Sequence, residues 1–317
     1  MKPSFTLSSI QEISRRRFME NASVAVGAGL TLKCGVIAQG QDDSKEAKKA
    51  TIPPNAKRRS IKIGLITDLH YADKETAGTR YYRESSAKLT ECVKLFHEEK
   101  PDFVVELGDL VDAAPTVDEE LGFLKSINGI LRKMDRPCHY VLGNHCVATL
   151  TKEEFLKEVQ QPKSYYSFDL HGFHFVILDA CFNREMQSYG RNNFEWTDTN
   201  IPPAEVEWLE KDLTQTQNPV IVFAHQRLDL NPQESYAVKQ CRKVRKLFEA
   251  SGKVLAVFQG HSHKNELHLI NEIPYCTLAA IIEGSGSENN AYGILELSPT
   301  GTIQLKGYRK QENYNWS

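Results

Sequence analysis

The chain has 317 residues, 40% of them hydrophobic and 25% charged, which fits a globular protein with one large core. Its 39 lysines and arginines nearly balance 41 aspartates and glutamates, for a net charge of −2, so the basic surplus of a nucleic-acid binder is excluded. Seven scattered cysteines (Cys34, Cys92, Cys138, Cys146, Cys181, Cys241 and Cys276) show no C-x-x-C spacing and indicate neither a zinc ribbon nor a dense disulfide scaffold.

Residues 1–38 read as an export signal and stand apart from the fold. Ser14-Arg15-Arg16-Arg17-Phe18-Met19 resembles the twin-arginine signal, and Ala22 to Leu32 is a Gly/Ala-rich apolar stretch too short to span a bilayer comfortably. Val36-Ile37-Ala38 offers a peptidase site after Ala38, so the mature protein is expected in the periplasm and free of the membrane. Lipid attachment at Cys34 is the second reading, with Lys33 a poor neighbour for it. Residues 39–59 hold Lys45, Lys48, Lys49, Lys57, Arg58 and Arg59 among few apolar side chains and read as a linker. The domain proper is expected over 60–317.

From Ser60 on, strand and helix patterns alternate as in an α/β domain. Ile61 to Ile66 reads as a buried strand, and Leu89, Val93 and Phe96 mark a helix stopped by Pro101. Asp102 to Leu107 is the next strand. Leu121, Leu124, Ile127, Leu131 and Met134 recur at helical spacing before a strand over His139 to Leu142, and Pro202-Pro203 opens a helix carrying Val206, Leu209 and Leu213. Val220 to Ala224 and Val254 to Gln259 are short apolar strands, while Tyr166 to Leu178 and Ala291 to Leu305 read as strand pairs around Gly172 and Gly301 turns. Arg242, Lys243, Arg245 and Lys246 lie on a helical pattern as a solvated face, and His97 and His268 read as surface histidines.

Five short motifs follow the carboxyl ends of these strands: Asp68-Leu69-His70, Gly108-Asp109-Leu110-Val111-Asp112, Gly143-Asn144-His145, a lone His225, and Gly260-His261-Ser262-His263. That is where α/β sheets gather their sites. One residue separates Asp68 from His70, so an extended backbone turns both side chains to one side, and His261 with His263 repeats the spacing. A hard carboxylate from Asp109 can bridge two cations while imidazoles and the Asn144 carbonyl complete two shells. Gly108, Gly143 and Gly260 let the backbone turn tightly beside them. Any one motif is an ordinary turn sequence; five in this order are not.

With these motifs the chain resembles the calcineurin-like metallophosphoesterase superfamily, whose pattern is D-x-H, G-D-x-x-D, G-N-H-[DE], a lone H and G-H-x-H, across Ile61 to Gly307. The resemblance implies a four-layer αββα sandwich, two packed sheets flanked by helices, with a dinuclear metal site at the strand ends. By the same resemblance Asp68, His70, Asp109 and His263 hold one divalent ion, Asp109, Asn144, His225 and His261 hold the other, and His145 lies near the phosphate. The acid that normally follows the motif histidine is Cys146 here, which leaves the orientation of His145 open; Asp112 is expected to support the site by hydrogen bonds.

Within the superfamily the chain is similar to manganese-dependent ADP-ribose/CDP-alcohol diphosphatases. The stretches that carry this are Tyr71 to Glu75 with Arg80-Tyr81-Tyr82-Arg83, Tyr165 to Phe168 leading into Leu178-Asp179-Ala180, and Ile281 to Gly284 leading into Leu305-Lys306-Gly307. The spacing between Asp179 and His225 is short for that subgroup. The expected reaction is hydrolysis of a phosphate ester or diphosphate: two cations (manganese, iron or zinc) about 3.5–4 Å apart clamp the phosphate and activate a shared hydroxide for in-line attack. His145 serves the leaving oxygen. Arg80 and Arg83 are candidates for a second phosphate, and Tyr81 or Tyr82 for stacking on a base; the alternative is a helix entrance with solvated charges and core tyrosines. A nucleotide-type small molecule is the expected substrate. A broad phosphomonoesterase, a cyclic-nucleotide phosphodiesterase and a non-catalytic metal-binding scaffold are the rival functions.

Overall fold

In the computed structural model, which describes residues 58–316, the apolar runs become two six-stranded sheets. The chain order is β1 (Ile61–Ile66), α1 (Ser85–Glu99), β2 (Phe103–Glu106), α2 (Val117–Leu131), β3 (Cys138–Tyr140), α3 (Lys152–Val159), β4 (Tyr166–Leu170), β5 (Phe173–Ile177) and α4 (Pro203–Gln215). It continues with β6 (Val220–Phe223), α5 (Cys241–Ser251), β7 (Val254–Gln259), β8 (Glu266–Ile270), β9 (Ile273–Thr277), β10 (Ala291–Leu297), β11 (Ile303–Arg309) and β12 (Tyr314–Trp316). The sheets run β12-β11-β10-β1-β2-β3 and β4-β5-β6-β7-β9-β8.

Strand alternation then builds the layers. Ile61, Ile63 and Leu65 of β1 share one buried cluster with Phe175, Phe223 and Phe258 of the other sheet, so alternate side chains fill the seam between sheets. The opposite faces bury two further clusters. Ile66 and Val104 pack with Leu89 and Phe96 of α1 and Leu124 and Ile127 of α2, and Val222 and Val257 pack with Leu209 of α4 and Phe248 of α5. Helix, sheet, sheet, helix is the resulting order, as the family resemblance implied.

Local chemistry sets the helix ends. Thr116 accepts from the Glu119 N–H ahead of an acidic first turn in α2, and Thr151 with Glu154 forms a capping box on α3. Helix α1 closes on Lys100 in the left-handed region, with φ of 52°, one residue before Pro101. The expected linker ends earlier than residue 59: Arg58 is buried, its guanidinium donating to the Gly172 and Pro299 carbonyls. The expected export signal and the linker up to residue 57 lie outside the described residues.

Candidate metal centre

The parallel strands β1, β2 and β3 of one sheet and β6 and β7 of the other lead into the loops that carry the motif residues. Backbone bonds lace these loops together: the Asp68 N–H donates to Gly108 O at 2.9 Å, the His70 N–H to Asp109 O at 2.7 Å, and the Gly260 N–H to His225 O at 3.0 Å. The extended geometry expected for Asp68 and His70 is not what brings them together. Asp68, His70, Asp109, His261 and His263 all have positive φ, of 52°, 46°, 56°, 72° and 62°, a left-handed conformation costly for any residue with a Cβ. The interlocked loops hold that strain.

The glycines are required by close approach more than by turning. A Cβ at Gly108, whose φ is +107°, would run into the His225 ring, and one at Gly260 would sit 2.6 Å from Asp68 Oδ2. At Gly143 it would overlap both the Asp109 carboxylate and the Asp109 backbone nitrogen.

Asp109 lies at the middle of the cluster. Its Oδ2 is 3.5 Å from His70 Nε2 and 3.1 Å from His225 Nε2, while its Oδ1 accepts the His145 backbone N–H at 2.8 Å. On one side Asp68 Oδ1 is 3.3 Å from His263 Nε2 and 3.7 Å from His70 Nε2. On the other, His225 and His261 stand with ring centroids 5.0 Å apart. The donor atoms of Asp68, His70 and His263 lie within 4.8 Å of one another, as do those of Asp109, His225 and His261. Asn144 is buried beside them.

Whether these residues suit metal ions can be judged from their unspent atoms. Asp68 Oδ1, both amide atoms of Asn144, His225 Nε2 and His261 Nε2 are buried and lack a hydrogen-bond partner, a cost that a bound cation removes. Carboxylate, amide oxygen and imidazole together match first-row divalent ions. Charge in the protein alone is balanced by protons: burial opposes the charged form of His70, but Asp109, Asp112 and Asp68 lift it to about 10. Burial also opposes His225, and Asp109 and Asp68 lift it to about 9. Burial and the neighbouring His225 instead push His261 down to about 3. Cations entering such a site displace protons.

Around this set the structure sorts the remaining candidates. Asp112 accepts from Lys74 Nζ at 2.8 Å and lies 3.2 Å from His70 Nδ1 and 3.4 Å from His145 Nδ1. The carboxylate that faces His145 thus comes from the second strand's loop, in place of an acid at position 146. Cys146 is fully buried, its sulfur accepting the Leu110 N–H at 3.4 Å, and burial pushes its thiol well up, so it is inert packing. A cavity of about 610 Å³ opens over the cluster, lined by His70, Asp109, Asn144, His145, His261 and His263, with Arg80 at its wall.

Two expectations for the substrate side are corrected. Arg83 turns away to ion-pair with Asp73 at 2.5 Å and Glu75 at 2.6 Å, which satisfies its guanidinium outside the cavity. Tyr82 packs into a small core with Ala72, Ala280 and Ile282. Neither lines the cavity. Among the residues that do, Trp196, Tyr236 and Lys264 were unforeseen in sequence. Trp196 and Tyr236 are 41% and 40% exposed, with rings 5.3 Å apart, and both stand against His261, at 6.4 and 5.4 Å. They belong to loops without regular pattern, so periodicity offered no signal. Glu283 was also missed as a site residue: its carboxylate is 2.7 Å from His263 Nδ1.

Known proteins bear on this geometry. The family model described as calcineurin-like phosphoesterase matches residues 61–265. A manganese-dependent ADP-ribose/CDP-alcohol diphosphatase from Arabidopsis thaliana is 30% identical over 136 residues, 39% of this chain and 44% of that protein. A human serine/threonine-protein phosphatase is 26% identical over 221 residues, 64% of this chain and 67% of its own length. The matches to the plant diphosphatases thus span less than half of those proteins, 44% in Arabidopsis and 40% in rice. A dimetal phosphatase of known structure from Danio rerio superposes with a TM-score of 0.70 at 21% identity, covering 80% of this chain and 98% of that one. At that identity the likeness is one of fold.

Proposed function

The chain belongs to the calcineurin-like phosphoesterase family, and from that premise we propose that it hydrolyses a phosphate ester or diphosphate bond in a nucleotide-type small molecule. The observation that carries this reading is the Asp109 carboxylate placed between two donor sets that share it. Asp68, His70, Asp109 and His263 would hold one divalent ion, and Asp109, Asn144, His225 and His261 the other; manganese, iron and zinc all suit these donors. When bound, the pair supplies Lewis acidity and an activated water. The chain's own residues do the rest. His145, at the cavity wall and 3.4 Å from Asp112, is placed to give a proton to the leaving oxygen. Arg80 and Lys264 add positive charge at the wall near His263, where a second phosphate of a diphosphate is matched by guanidinium and ammonium.

Beside His261, Trp196 and Tyr236 present an aromatic wall to the same cavity. A base stacked there is held by about 1–3 kcal/mol. Trp196→Ala is therefore expected to raise KM for ADP-ribose or CDP-choline about tenfold while leaving p-nitrophenyl phosphate, which has no base, unchanged. Steady-state kinetics on these substrates with manganese checks both points. Release of nucleoside monophosphate from the diphosphates supports the reading, whereas preference for the simple monoester moves the assignment to phosphomonoesterase. Tight metal binding with no ester cut would make the chain a scaffold.

The proposal extends to location. Ser14 to Met19 and the apolar stretch to Leu32 support export by the twin-arginine route. Replacing Arg15 and Arg16 by lysine is expected to retain the protein in the cytoplasm, read by cell fractionation; unchanged periplasmic recovery would refute it.

A further inference from the structure

Lys88, on α1, is 2% exposed, and among the described residues no carboxylate lies within ion-pair distance of it. Its ammonium spends its three protons on three carbonyls of one loop: Ile281 O at 2.7 Å, Glu283 O at 3.0 Å and Gly284 O at 2.6 Å. Burying a lysine with no carboxylate in contact is unfavourable, and burial lowers its pKa here although Glu84, Glu283 and Glu288 oppose the drop from a distance. An apolar side chain would fill the space but withdraw the donor from three carbonyls, so the lysine ties this loop to α1.

The tie matters for what the loop carries. Residues 281–284 are laced to the first metal motif, with the Ile281 N–H donating to Thr67 O at 3.2 Å and the Ile282 N–H to Asp68 O at 3.0 Å. The Gly284 N–H donates to Thr79 O at 2.8 Å from the other side. This places the Glu283 carboxylate 2.7 Å from His263 Nδ1, and His263 Nε2 faces Asp68 Oδ1 at 3.3 Å. A carboxylate on the far nitrogen of a ligating histidine sets its tautomer and ring angle.

We propose that Lys88 is a positioning residue for the Asp68/His70/His263 metal site, acting through the loop and Glu283 on His263. The inference rests on the two-ion reading above. It places control of one ion's affinity in a buried helix residue that touches neither ion nor substrate.

The test compares Lys88→Met, Glu283→Ala, Glu283→Gln and the Lys88→Met/Glu283→Ala double variant with wild type in the full chain. After chelator treatment, manganese is titrated by equilibrium dialysis and by the electron paramagnetic resonance of free ion, with melting curves in chelator to verify folding. Wild type is expected to bind two ions. Lys88→Met and Glu283→Ala should each weaken one of the two by about 10–100-fold and leave the other. Glu283→Gln, whose amide oxygen still accepts from Nδ1, should recover most of the loss. If Lys88 acts through Glu283, the double variant is no weaker than Glu283→Ala alone. Two wild-type sites in folded Lys88→Met, or losses that simply add, would overturn the proposal. Should Lys88→Met not fold, Lys88→Gln takes its place with the same expectations. A wild-type chain that binds no manganese would sink the metal-centre reading itself, a result distinct from either.

Discussion

Asp109→Ala is expected to lower hydrolysis by about four orders of magnitude and to release both ions together. Other ligands stand on one side of the cluster, but Asp109 Oδ2 lies 3.5 Å from His70 Nε2 and 3.1 Å from His225 Nε2. Losing it removes charge from both donor sets. Lewis-acid stabilisation of the transition state is worth several kcal/mol, and each 1.36 kcal/mol is about tenfold in rate. Asp109 also accepts the His145 N–H at 2.8 Å, so the same change unseats His145, the proposed proton donor. Manganese stoichiometry measured beside kcat decides the matter: a variant that keeps two ions and a tenth of the rate would show that Asp109 is not shared.

The second large effect comes from one methyl group. Gly143→Ala is expected to abolish metal binding or folding of the site, because the added Cβ meets the Asp109 carboxylate and backbone nitrogen, and neither can give way. The Asp109 N–Cα segment is already held in the left-handed region by the His70 N–H on Asp109 O, so it has no slack. Gly122→Ala is the control. It lies inside α2 with nothing near its Cβ position, and the exchange should stabilise the protein by about 0.5–1 kcal/mol. Melting temperatures and manganese titration of the two variants check the pair; a Gly143→Ala protein with two normal sites would contradict the packing described.

Legibility in the sequence followed locality. α1, α2 and α4 were readable because burial on one face imposes a period and because Pro101 and Pro203 mark helix ends, and β1 because a strand buried on both faces reads as a short apolar run. The β8–β9 hairpin was not, since β8 exposes Leu267, His268 and Leu269 alike, leaving no alternation to read. α3 is only eight residues long, too short for a periodic stripe. Residues 141–142 fall outside β3: the Val141 N–H still donates to Glu106 O at 2.8 Å, but the chain then leaves the sheet for the Asn144 loop.

Sequence alone pointed to the candidate metal residues, their order along the chain and their place just after strands. Those facts reside in motifs of a few residues, where backbone direction and side-chain chemistry are local. Tertiary structure alone decided what surrounds them. It joined His70 to His263 across 193 positions, set Glu283 on His263, brought Trp196 and Tyr236 to His261, and turned Arg83 outward and Tyr82 into the core. It also replaced the extended Asp68–His70 segment with left-handed turns. Each of these depends on which strand ends the two sheets bring together, and side chains there choose partners by distance and desolvation, which neighbours in sequence do not encode.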